Sequence, residues 1–418
     1  MLNYNINELE PSLKSSSSIV AIHGTSLLGK QVLYALSKRK IKVDFFIDSD
    51  EKNQNRLYCN INTISAEKFS NIAPNGHLFI AHDYFIPVME QLKKLNFNNY
   101  YSSVDLLEKT DFSDGNEFTK MYPNTSPLKM ERGLQTHKYS AKIADRVFNK
   151  VENNEFSIKH IDIVVTERCS LKCRDCANLM QYYQRPQNSD LNILFKSLDR
   201  MMQSVDKIYE FRVLGGDPFM NKEMYKVVNK LVKYNNVEQV VIYTNAKIIP
   251  KGDNLECLKD KKVRLDITNY GELSSKHDEI TSLLDMHNIP YETKIARLWD
   301  DIGTIEYEKK TDKQLKELFR ECCARDIFTL FDGTLFKCPV SAHGTKLKSV
   351  PFDEKYDGID LVDENISIKE LRNKLINFHD NGKYVTACNY CKGRRFGIGT
   401  IEAAIQTKKP LQIRKYSN

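Results

Sequence analysis

No run of apolar residues in the 418 approaches the roughly 18 that a bilayer span needs, so the chain is not expected to cross a membrane. The first residues, from Met1 to Ser18, lack the basic-then-apolar order of an export signal, and a cytoplasmic location is the expectation. There is no basic stripe interleaved with aromatics, which argues against a nucleic-acid partner. Charge of one sign is also scarce: 62 Lys and Arg against 55 Asp and Glu leave +7, and clusters such as Lys259 to Lys262 are broken by acids. That balance reads either as a solvated lysine-rich surface or as a mild preference for an anionic substrate or cofactor. With 41% hydrophobic and 28% charged residues, the chain is neither disordered nor collagen-like. Its length suggests about two or three domains at roughly 150 residues each.

What is present first is an alternation of strand-type and helix-type segments. The apolar run Ser18 to His23 is followed by the turn Gly24 to Gly29 and an amphipathic stretch from Lys30 to Lys38. Val43 to Ile47 ends at Asp48, and His77 to Ala81 is a further strand. Strands alternating with helical periods imply a parallel α/β sheet, and a glycine turn with an acid closing strand two resembles a Rossmann half. The G-x-x-x-x-G spacing is not the dinucleotide fingerprint, however, and no Lys-Ser/Thr pair makes it a phosphate-binding P-loop. Residues 1–120 are therefore expected to form a Rossmann-like nucleotide-fold domain, with ligand binding and a purely structural or docking role both open. A connector over 121–155 is marked by Pro123, Asn124 and Pro127, with a helical period from Lys142 to Lys150. A second series follows, with strands at 161–166, 209–214, 239–243, 263–268 and 291–296 and helices near 191–203, 222–233 and 276–286. Active residues in such a series belong at the C-terminal ends of the strands.

Ten cysteines stand out in a chain expected to face reducing conditions, where clustered cysteines read as metal ligands rather than disulfides. Cys169, Cys173 and Cys176 form one group, and Cys322, Cys323, Cys338, Cys388 and Cys391 another, whereas Cys59 and Cys257 stand alone as structural thiols. The first group has C-x3-C-x2-C spacing directly after a strand. Three thiolates suit three irons of a [4Fe–4S] cube and leave the fourth open, and no fourth Cys or His follows in the loop as zinc would want.

This spacing resembles the signature of the radical S-adenosylmethionine superfamily. The resemblance implies that the open iron chelates S-adenosylmethionine and that one electron cleaves it to a 5′-deoxyadenosyl radical, which abstracts hydrogen from substrate. One departure is Asp175, where the family usually has an aromatic residue. Leu214-Gly215-Gly216-Asp217-Pro218 resembles the family's Gly-Gly-Glu-Pro element, whose backbone carbonyls accept from the methionine ammonium. Thr244 and Asn245 end the third strand, and Asp266 and Asn269 lie around the fourth strand end. These four residues, with Gly215, Gly216 and Asp217, are the cofactor-binding candidates; a plain strand end is the competing account of the last two. The fold expected over 156–315 is a partial (βα)6 radical barrel.

The second group resembles the auxiliary-cluster extension called SPASM or, when shortened, twitch. Nine residues separate Cys323 from Gly333 in Phe331 to Thr334, four more precede Cys338, and Cys388-Asn-Tyr-Cys391 comes later. No cysteine follows Cys391, so one auxiliary [4Fe–4S] cluster is the most this region, 316–418, completes. Its expected ligands are Cys323, Cys338, Cys388 and Cys391, with Cys322 the alternative to Cys323 and a four-thiolate zinc the rival metal.

A fully ligated second cluster suits electron transfer. The expectation is an oxidoreductase that removes hydrogen from an alcohol of a sugar, aminocyclitol or nucleotide sugar and passes the last electron to that cluster. Alternatives are a carbohydrate epimerase using Cys322 or Cys257 as thiol donor, a peptide-modifying maturase, and a binding module without chemistry. The implied reductant is of flavodoxin or ferredoxin type, and the substrate a small sugar-like molecule.

Overall fold

β1 (Val20–His23) is buried along its whole length, as a strand must be when helices cover both faces of its sheet. In the computed structural model the chain divides into two compact units, Met1–Asn154 and Glu155–Asn418, each taken here by itself. The structure describes residues 4–82, 85–112, 155–322, 327–380, 383–394 and 398–416. Between 113 and 154 it describes 117–118, 121–122, 130, 133–134, 137–138, 140–141 and 144. The punctuation at Pro123, Asn124 and Pro127, and all but Ala144 of the helical stretch from Lys142 to Lys150, lie outside the described residues.

In the first unit β1 is joined by β2 (Phe45–Ile47), β3 (Leu57–Tyr58), β4 (Ile61–Ile64), β5 (His77–Ile80) and β6 (Tyr100–Ser102). Their order is β3-β4-β2-β1-β5-β6, parallel except for the β3–β4 pair. The order reverses beside β1, which makes the β1–β5 boundary the switch point of a doubly wound sheet. The helix Leu27–Lys38 follows β1 and is capped by Ser26, whose side chain accepts from Gly29 N. Asp48, the acid closing the second strand, accepts from Thr25 Oγ1, from Asp50 N at 2.8 Å and from Asn53 Nδ2 at 3.2 Å. Its carboxylate ties the ends of β1 and β2 together.

The second unit is built on β7 (Ser157–Thr166), β8 (Lys207–Gly215), β9 (Val237–Thr244), β10 (Val263–Asn269) and β11 (Tyr291–Ile295). These pair in sequence order, all parallel. The helix Leu191–Ser204 starts where the Asp190 carboxylate caps Asn192 N and Ile193 N, and it buries Leu194, Leu198, Met201 and Met202. Met224–Leu231 and His277–Met286 add further buried rows, and all three helices pack into one continuous core with the strands. After the short β12 (Leu298–Asp300) comes β13 (Ile327–Phe331), which pairs in parallel with β7 on its free side. β14 (Thr334–Phe336) and β15 (Gly358–Asp360) extend that edge antiparallel. The sheet is thus β11-β10-β9-β8-β7-β13-β14-β15. The cysteine-rich region, expected as an appended extension, contributes three strands to the same sheet, because β7 would otherwise leave an unpaired edge. β16 (Thr400–Glu402) pairs antiparallel with β12. Among the described residues no helix is long and apolar enough to cross a membrane.

Candidate functional site

The loops beyond the C-terminal ends of the parallel strands in the second unit gather the chemistry-bearing residues. The one after β7 carries Cys169, Cys173 and Cys176, and its entrance packs directly on the end of β8. Gly216 N donates to Thr166 O at 2.8 Å and Asp217 N to Arg168 O at 2.9 Å. Gly215 has φ +134°, and a Cβ there would stand 2.1 Å from Thr166 O; one on Gly216 would stand 2.0 Å from Arg168 O. Only residues without side chains let the two backbones touch. The Gly215 carbonyl accepts from Asn178 Nδ2 at 3.0 Å, so this pair builds the cysteine loop as well as ending a strand. Gly216→Ala should displace Arg168 and Cys169, costing about 3 kcal/mol. The expected readout is a lower Tm with loss of the iron held by this loop, and iron content unchanged from wild type would contradict it.

Asp217 is 1% exposed, and its carboxylate accepts from Thr244 Oγ1 at 2.8 Å, Asn245 N at 3.1 Å and Phe219 N at 3.1 Å. Burial raises its pKa while these donors oppose the rise. It fixes the end of β9 to the end of β8, and so aims Asn245, whose Nδ2 lies 3.6 Å from Cys169 Sγ and 3.1 Å from Ser170 Oγ. Thr244 and Asn245 thereby reach the cysteine loop. Asp266 lies buried inside β10, its carboxylate 2.9 Å from Lys294 Nζ. Asn269 Oδ1 accepts from Gly271 N at 2.8 Å, shaping the turn after that strand.

The loop's other wall comes from the C-terminal segment. Gln406 Nε2 donates to Cys173 Sγ at 3.1 Å while its Oε1 accepts from Lys172 N at 2.8 Å. Arg174 N donates to Ile405 O at 2.7 Å and Thr407 N to Lys172 O at 2.8 Å. Burial pushes all three thiols up, Cys173 to about 11. Thiols so placed give up their protons only when a metal takes them, and the N–H donors around the sulfurs then satisfy the thiolates. Three sulfurs from one loop, with donors but no fourth ligand in that loop, fit a cube that keeps one iron free.

Cys322, Cys338, Cys388 and Cys391 line a second, apolar cavity with Leu318, Phe319, Val340 and Val385 among its walls. Three of the sulfurs accept backbone N–H groups: Cys338 from Ser341 at 3.4 Å, Cys391 from Gly393 at 3.3 Å and Cys322 from Arg394 at 3.4 Å. Lys310 Nζ holds the Cys388 and Cys391 carbonyls, each at 3.1 Å. Burial raises Cys338, Cys388 to about 12 and Cys391 to about 11. The four sulfurs line one apolar cavity, a donor set that suits a closed [4Fe–4S] cluster or a four-thiolate zinc. Cys323, the residue preferred over Cys322, lies outside the described residues, and Cys322 stands at the cavity. Cys257 packs in the helix-sheet core, its Sγ on Asn254 O at 3.5 Å.

A third feature joins the two cysteine groups. A cavity of about 800 Å³ opens at the ends of β10 and β11, lined by Thr268, Tyr270, Lys294, Ile295, Ala296, Arg297, Leu298, Trp299 and Arg394. Tyr270 meets Trp299 edge-on, with centroids 5.7 Å apart. Ser274 Oγ accepts from Tyr270 N at 2.8 Å and donates to Asn245 O at 2.7 Å, which ties this wall to the strand end that reaches the first loop. Arg394 lines this cavity as well as that of the four cysteines. Sequence reasoning missed Tyr270, Trp299, Arg394 and Gln406, because none carries a spacing signal; each is placed by pairings between distant segments.

A family profile described as "4Fe-4S single cluster domain" matches residues 161–282, a span that contains the three-cysteine loop. The GTP 3′,8-cyclase of Clostridium acetobutylicum is 23% identical over 293 residues, covering 64% of this chain and 87% of that protein. The GTP 3′,8-cyclase of Staphylococcus epidermidis is 27% identical over 144 residues, so the match spans only 41% of its length. Among solved structures, BtrN in complex with AdoMet and 2-DOIA is similar with a TM-score of 0.36 and 12% identity, covering 57% of this chain and 94% of that one. A likeness that distant carries no argument about function.

Proposed function

From a chain related to the radical S-adenosylmethionine enzymes, whose cofactors are a [4Fe–4S] cluster and S-adenosylmethionine, we propose a radical oxidoreductase that oxidises an alcohol carbon of a sugar-like small molecule. The observation that carries this reading is the open cavity whose wall residue Tyr270 is tied through Ser274 to Asn245 beside Cys169, and whose Arg394 also lines the cavity of the four cysteines. Cys169, Cys173 and Cys176 would hold the first cluster, which when reduced supplies the electron that splits S-adenosylmethionine into methionine and a hydrogen-abstracting 5′-deoxyadenosyl radical. Cys322, Cys338, Cys388 and Cys391 would hold the auxiliary cluster, which supplies an electron acceptor. The substrate carbon loses one hydrogen atom, its hydroxyl one proton, and the resulting fragment one electron, giving a ketone. A reductant of flavodoxin or ferredoxin type supplies the initial electron.

The chain's own residues have separate tasks. Gly215, Gly216 and Asp217 shape the loop; the Gly215 and Asp217 carbonyls accept from Asn178 Nδ2 and Met220 N, so the Gly216 carbonyl is the one assigned to the methionine ammonium. Asn245 supports Cys169, and Gln406 supports Cys173. Lys310 clamps the C-x2-C turn. The two thiols that an epimerase would use are otherwise engaged: Cys257 sits in the core, and Cys322 faces the other three cysteines. Neither of these two thiols is placed to return a hydrogen atom to substrate, and dehydrogenation is the reading adopted here over epimerisation. Turnover in deuterated water tests the choice. A ketone without deuterium at the reacting carbon is expected, and a stereoinverted product carrying deuterium there would overturn the dehydrogenase reading. We read the first unit, with its doubly wound sheet, as a Rossmann-like domain.

A further inference from the structure

The cavity between the two cysteine groups has a chemical character of its own. Three cations line it, and two are partnered: Lys294 Nζ lies 2.9 Å from Asp266 Oδ1, and Arg394 Nε lies 3.4 Å from Asp300 Oδ2. The Arg297 guanidinium has no ion pair among the described residues, and none of the lining residues is acidic. Arg297 is exposed and hydrated, so an anionic ligand gains an ion pair there that a neutral polyol does not, and an amino sugar would be repelled. Arg and phosphate match as a planar donor fork against oxygen acceptors. Beside the cations stands an apolar and aromatic wall of Trp299, Tyr270, Ile295 and Leu298, with Ile295 70% and Leu298 62% exposed. Apolar side chains this exposed next to cations suit a ligand that is flat at one end and anionic at the other.

We propose that this cavity binds a nucleoside-diphosphate-linked substrate, with its phosphates on Arg297 and Arg394 and its base against Trp299. The inference rests on the reading of this cavity as the active site and narrows its substrate class from sugar-like molecules to nucleotide-linked ones. It also gives Arg394 a place in both halves of the site: its side chain meets the ligand's phosphates while its backbone N–H meets Cys322 Sγ.

Trp299 is the only tryptophan in the chain, so emission excited at the red edge of the indole band, where the 21 tyrosines do not absorb, reports on this cavity. The reconstituted, oxygen-free holoenzyme, with S-adenosylmethionine saturating its own site, is titrated with uridine diphosphate, guanosine diphosphate, uridine and glucose. The expected result is a saturable change with one or both diphosphates, at least about tenfold weaker binding of uridine, and no saturation with glucose. Arg297→Gln, on an exposed side chain, should weaken the diphosphate by about tenfold or more, and Arg297→Lys by less. The inference is overturned if neither diphosphate saturates, if uridine or glucose binds as tightly as the diphosphates, or if Arg297→Gln leaves their affinity unchanged. The spectroscopic response of the wild-type cluster to S-adenosylmethionine, measured on the same preparation, separates that failure from a failure of the radical-enzyme reading.

Discussion

Cys173→Ala is expected to abolish reductive cleavage of S-adenosylmethionine, with a drop of about a hundredfold or more, and to lower bound iron from about eight per chain to about four. The expectation follows from how the loop is made. Its three sulfurs come from eight consecutive residues, Cys169 to Cys176, so no other segment replaces one that is lost. Cys173 is also the sulfur held by Gln406 Nε2, at 3.1 Å. Removing the thiol therefore leaves a donor facing nothing as well as a cube with too few ligands. Iron counting on anaerobically reconstituted protein and product assay for 5′-deoxyadenosine check both parts. Cleavage at the wild-type rate would mean that the loop does not carry the reaction.

The second large effect separates two adjacent residues. Cys322→Ala and Cys388→Ala should each lower iron from about eight to about four and spare S-adenosylmethionine cleavage while reducing ketone formation by about tenfold or more. Cys323→Ala should leave iron near eight. Cys322 terminates the helix Asp312–Glu321 and faces the same cavity as Cys338, Cys388 and Cys391. Its sulfur accepts the Arg394 N–H, an arrangement like those of Cys338 and Cys391 with their own backbone donors. If Cys323→Ala lost the iron and Cys322→Ala kept it, the ligand set drawn from the cavity would be wrong. If the site held zinc, metal analysis would return about four irons and one zinc, and the electron-acceptor role would fall with it.

Both expectations rest on residues that the sequence exposed unevenly. The strands β1, β5 and β7 to β10 were legible because buried parallel strands are apolar runs, and β11, mostly exposed, because it continues the alternation with helices; their ends agree with the sequence reading to within a few residues. β3, β4 and β6 were not: they hold two to four residues each, and Leu57 in β3 is 66% exposed, so no apolar run marks it. The parallel pairing of β13 with β7 was invisible for another reason. It joins Ile327 to His160, and contacts over such distances leave no local period.

The site shows the same division. The C-x3-C-x2-C loop and Gly215-Gly216-Asp217 were readable, because a spacing of sulfurs and a pair of glycines are local patterns. What Asp217 does with its carboxylate was not readable, since Thr244 and Asn245 arrive from a different strand. Spacing alone separates Cys322 from Cys323 only weakly, because one residue of slack in a loop changes no pattern. Gln406 and Trp299 lie on segments brought together by the β12–β16 pair and the Cys173–Gln406 bridge, long-range contacts that nothing in their own neighbourhoods announces.

The most direct measurement is electron paramagnetic resonance of the reduced, oxygen-free protein before and after S-adenosylmethionine is added. One of two [4Fe–4S] signals should shift with the ligand, the other should stay as it was, and the shifting signal should be absent from Cys173→Ala. A spectrum that S-adenosylmethionine leaves unaltered would contradict the existence of an iron open to it, and with that the account of this site as a place where a sulfonium is cleaved.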